Sequence, residues 1–77
     1  MVSLVFTRLK QLLVDYGVDE EEITLDASFL DDLNLEPLDL GDLFLTIEDE
    51  FEFEIPDKAA RRLLTVRAVV DYVEDQL

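Results

Sequence analysis

Residues 27–51 read ASFLDDLNLEPLDLGDLFLTIEDEF, and this stretch decides the fold. It opens as an acidic loop with apolar anchors at Phe29, Leu30 and Leu33, and then its period changes. Leu40, Leu43, Phe44, Ile47 and Phe51 follow at spacings of three, one, three and four, which places them on one buried helical stripe. Pro37 suits the first helical position, where its fixed φ fits and no amide donor is missed. Glu36 just before it puts negative charge at the positive end of the helix dipole. The spacing predicts a helix from about Pro37 to about Phe51.

The flanking segments read as helices as well. Val5, Leu9, Leu12, Leu13 and Tyr16 make one apolar stripe over residues 3–16, extended by Phe6 and Val14, with Ser3 as N-cap and Gly17 just past the end. Residues 18–36 form a long connection with an acidic run from Asp19 to Glu22. Connections of this length are pinned or functional in compact domains, and Ile23, Leu25, Phe29, Leu30 and Leu33 are the expected pins. After an extended piece ending at Pro56, Asp57 is expected to cap a short helix from Lys58 to about Leu63. Thr65 is expected to cap a last helix with Val66, Val69, Val70 and Val73 inward and Tyr72 at the edge. The fold class is therefore all-α: a small four-helix bundle with a long first loop and a short third helix, in one domain over 1–77.

Composition narrows the chemistry. The chain has no cysteine and no histidine, which removes disulfides, thiolate metal sites and the commonest general base. Stability must come from apolar packing, and the 49% hydrophobic content supplies it. With 20 acids against 6 bases the net charge is −14. Such a surface repels nucleic acid and anionic membranes and attracts basic protein patches. No run approaches the ~18 apolar residues of a membrane span, and the apolar start is broken by Arg8 and Lys10 without a cleavage site, so the expected location is cytoplasmic. Asp32, Asn34 and Glu36 imitate the start of a calcium loop, but Pro37 and Leu43 stand where glycine and glutamate are required, and no metal site is expected. The only glycines are Gly17 and Gly41, so there is no phosphate-binding loop, and no pair of acids is marked for catalysis. The expectation is a protein that is not an enzyme.

Ala27-Ser28-Phe29, Asp32-Leu33, Leu38-Asp39, Glu48-Asp49-Glu50-Phe51, Ile55-Pro56-Asp57 and Thr65-Val66, with the helix lengths and the long first loop, resemble the acyl carrier protein family over about residues 3–75. The resemblance implies the four-helix fold and a role in carrying acyl thioesters between enzymes of fatty-acid, polyketide or related synthesis. It also implies that the second helix is an acidic docking surface. In that family the loop before the second helix reads Asp-Ser-Leu, and the serine carries a phosphopantetheine arm. Here those three residues are Glu36, Pro37 and Leu38, and proline has no hydroxyl to esterify. Asn34 and Leu35 replace a glycine and a small residue, and Gly41 replaces a branched apolar one.

No cofactor is therefore expected, with Ser28, the only loop serine, as a remote alternative attachment point. The acids that match the docking surface are Glu36, Asp39, Asp42, Glu48 and Asp49. Residues 31–54 hold ten acids and no base, whereas a face selected only for solubility mixes signs. Leu38 and Leu45 fall opposite the buried stripe, beside Asp42 and Asp49, which makes an apolar centre with an acidic rim. Gly41 sits on the same side and removes a side chain from it. The expected partner is a basic patch on a biosynthetic or regulatory enzyme. The alternatives are a working carrier whose acyl group is held elsewhere or non-covalently, and a weak homo-oligomer built on Leu38 and Leu45.

Overall fold

A computed structural model describes residues 3–77 and contains four α-helices: α1 (Leu4–Asp15), α2 (Pro37–Phe51), α3 (Asp57–Ala60) and α4 (Val66–Gln76). A single 3₁₀ turn, Glu20–Glu22, lies in the first connection. Ser3 caps α1 by accepting from the Phe6 N–H at 3.2 Å, and Gly17 follows the helix with φ +110°. The α2 boundaries are those that Pro37 and the apolar stripe predict.

One continuous core joins all the helices. Leu9, Leu13, Leu43, Ile47, Val66, Val69 and Val73 are fully buried, and Phe29 from the loop is buried with them. Phe29 meets the Phe44 ring edge-on at 6.5 Å between centroids, an arrangement that aromatic quadrupoles favour. The four valines of α4 are all inside, as the three-one-three spacing predicts, and Tyr72 packs at the edge against Phe53. Several expected core residues lie further out. Tyr16, Val14 and Leu30 are exposed, and Leu12, Leu25 and Phe51 are half-buried. Tyr16 ends α1 at its C-cap, where its ring turns toward α2 instead of the core.

The third helix differs from expectation at both ends. Pro56 is its N-cap and Asp57 its first residue, so Asp57 makes no cap. It stops at Ala60 because the chain tightens there into i to i+3 hydrogen bonds, Arg62 N–H to the Ala59 carbonyl at 2.9 Å and Leu63 N–H to the Ala60 carbonyl at 3.2 Å. The tightening turns Leu63 into the core and brings Thr65 to the start of α4.

The long connection is pinned by its backbone as well as its side chains. A helix begins with amide donors that have no partner inside it. At α4 two of these go to the loop: Val66 N–H reaches the Ala27 carbonyl at 3.0 Å and Arg67 N–H the Leu25 carbonyl at 2.8 Å. The Thr65 hydroxyl accepts from Ala68 N–H at 3.1 Å. Phe29 N–H bonds the Leu64 carbonyl at 3.1 Å, and Ser28 pairs with Thr65 in an isolated antiparallel bridge. Asn34 takes φ +57°, a left-handed conformation that asparagine tolerates better than most residues, so the loop keeps a glycine-like backbone without glycine.

Candidate docking face

The outer side of α2 is the surface that the loop and α3 leave open. Leu38 and Leu45 are 84% and 62% exposed, and Asp42 and Asp49 are exposed beside them, so the four residues expected on this face are all present on it. Pro37 and Glu36 are exposed at its N-terminal end. Gly41 lies in the same strip, and a β-carbon built there meets nothing within 4 Å.

Two of the five acids grouped there do other work. Asp39 accepts from the Glu36 N–H at 2.9 Å through one oxygen, fastening the first turn of α2, and from the Tyr16 hydroxyl at 3.2 Å through the other. The phenol is pushed above its usual pKa of 10.0, first by partial burial and then by this hydrogen bond and the charge of Asp39. Glu48 is half-buried and accepts from the Ile55 N–H at 2.6 Å, tying the chain after α2 back to the helix. Asp39 and Glu48 are therefore bound into the fold, while no ion pair among the described residues reaches Asp42 or Asp49. Glu50, not assigned a role from sequence, bridges to Arg8 at 2.8 Å.

An open groove of about 440 Å³ runs beside this strip toward α3. Pro37, Leu40, Gly41 and Phe44 line it from α2, Leu30 from the loop, and Asp57, Ala60, Arg61 and Leu64 from the far wall. Sequence reasoning missed that wall, although three cations within five residues, Lys58, Arg61 and Arg62, are a visible signal in so acidic a chain.

A family model described as a phosphopantetheine attachment site matches residues 7–73. The chain belongs to the phosphopantetheine-attachment family. The helical bundle is the carrier-protein bundle of that family, whose members are carrier modules that meet partner enzymes. In this phosphopantetheine-attachment domain the first turn of α2 and its cap, Glu36-Pro37-Leu38-Asp39, offer no hydroxyl for a phosphodiester. That turn does not fit a covalently attached arm. Ser28 is engaged elsewhere: its hydroxyl accepts from the Asp31 N–H at 3.3 Å and its own N–H donates to Asp32 at 2.7 Å. Thr46 donates its hydroxyl to the Asp42 carbonyl at 3.1 Å. Among the described residues no helix is long and apolar enough to cross a membrane, and no group of three or more acids is arranged to hold a metal ion.

Proposed function

We propose that this domain is a carrier-type module that is not loaded with phosphopantetheine and works by docking to an enzyme that ordinarily takes a loaded carrier. The observation that carries this reading is Pro37 at the first position of α2, exposed and without a hydroxyl, beside an outward face that keeps its acids and leucines. The module recruits, blocks or regulates such an enzyme in fatty-acid, polyketide or related synthesis. Asp42 and Asp49 supply the charge and Leu38 and Leu45 the apolar contact, an apolar centre within a polar rim. The partner supplies a basic patch.

The test is the intact mass of the purified protein before and after incubation with a broad-specificity phosphopantetheinyl transferase and coenzyme A. No mass gain is expected. A gain of one phosphopantetheine arm overturns the reading, and peptide mapping then starts at Ser28. Ser28 is disfavoured as a relocated attachment point because its hydroxyl caps the following turn and its backbone pairs with Thr65.

A further inference from the structure

The two glycines have different standing in the fold. Gly17 occupies φ +110°, which side chains rarely adopt. Gly41 has no such need. It lies inside α2, and open space surrounds the place of its missing side chain. Glycine in a helix interior costs about 1 kcal/mol against alanine, and among the described residues no close packing at Gly41 offsets that cost. The vacancy faces outward. Leu38 stands three residues before it and Leu45 four residues after it, so both are its neighbours on the helix surface.

The strip is bordered by charges of opposite sign. At about 100° per residue, Gly41 lies on the α3 side of the Leu38–Leu45 ridge, and Asp42 and Asp49 lie on the other side. The α3 side carries three cations, Lys58, Arg61 and Arg62, against one acid, Asp57, and none of the three cations forms an ion pair among the described residues in a chain with 20 acids. Arg61 itself lines the groove that Gly41 opens into. Along α2 the groove is lined from Pro37 to Phe44, about 10 Å or two helical turns, with the Leu38–Leu45 ridge beside it. A shallow, open and mostly apolar groove two turns long beside an exposed apolar ridge is a surface on which an amphipathic helix can lie.

We propose that this face receives an amphipathic helix of opposite charge pattern: a bulky apolar side chain enters the notch at Gly41, cationic residues face Asp42 and Asp49, and an anionic residue faces Arg61. This rests on the docking reading and specifies the partner surface as two-signed instead of uniformly basic.

Three stapled helical peptides test it by fluorescence anisotropy at about 0.15 M salt, where a Debye length of about 8 Å damps attraction to the net charge. All share an apolar ridge. The first has a central Phe, Lys on one flank and Glu on the other; the second has the same Phe and Lys on both flanks; the third is the first with Ala replacing the Phe. The first should bind tightest. Arg61→Glu should weaken the first by about threefold to tenfold and strengthen the second. Gly41→Leu should weaken both Phe peptides about tenfold and leave the Ala peptide unchanged, with a thermal midpoint no lower than that of the native chain. If Arg61→Glu does not weaken the first peptide, or Gly41→Leu weakens neither Phe peptide, the two-signed notch is wrong, and docking through Asp42 and Asp49 survives provided Asp42→Lys with Asp49→Lys still lowers affinity for the second peptide. If that double variant changes nothing, the docking reading falls with it.

Discussion

The two flanks of α2 carry similar charge and use it differently. On the flank toward α1, Asp39 is held by Tyr16 and the Glu36 amide, and Glu50 by Arg8; at the C-terminal end Glu48 receives the Ile55 amide. On the outer flank Asp42 and Asp49 stand beside exposed leucines without an ion pair among the described residues. Acid density alone thus says little about role. The fold takes the carboxylates that reach a donor, and only the remainder is free to meet another molecule.

The sharpest way to break the contrast is to remove a core group and an outer one of similar chemistry. Phe29→Ala should cost about 3–5 kcal/mol in denaturant unfolding, because it empties a fully buried site against Phe44. Leu45→Ala should change stability by no more than about 0.5 kcal/mol. Among the acids, Glu48→Ala should cost about 1–2 kcal/mol by leaving the Ile55 amide without its acceptor, whereas Asp49→Ala should be neutral or slightly stabilising. Gly41→Ala should raise stability by about 1 kcal/mol, seen as a higher thermal midpoint, since the methyl group enters open space on a helix. An unchanged midpoint would mean that the residue is already accommodated.

The smallest effect lies in Tyr16. Its raised pKa means that the folded chain holds the phenol proton more tightly than the unfolded chain does. The associated stability is complete below pH 10 and is lost as the pH climbs through the folded value. In a Tyr72→Phe background, phenolate absorbance should therefore appear above the usual tyrosine range. Asp39→Asn should bring it earlier, though not fully to the usual value, because partial burial remains the larger cause.

Most of the fold was legible because its signals are local. Pro37 and the Leu40–Phe51 stripe fix α2, Ser3 and Gly17 bracket α1, and the valine spacing identifies α4 as a helix despite its β-branched residues. The end of α3 was not legible, since a need at a distance stops it: Leu63 must turn inward while Thr65 reaches the start of α4. The docking face was half legible. Periodicity finds which residues point outward, so Leu38, Gly41, Asp42, Leu45 and Asp49 could be placed. It cannot tell that Asp39 lies under the hydroxyl of Tyr16, 23 residues earlier, or that Glu48 reaches the amide of Ile55, seven residues later. Those bonds depend on how the chain returns after each helix.

The amides that α4 donates to the loop have a kinetic consequence. First-turn amides of a helix ordinarily face water and exchange their hydrogens quickly. Here Val66 and Arg67 are bonded to Ala27 and Leu25, so their exchange requires the first connection to detach. Loop and last helix thereby become one cooperative opening unit although Ala27 and Val66 lie 39 positions apart in the chain, and the slowest-exchanging hydrogens of α4 should include those at its very beginning.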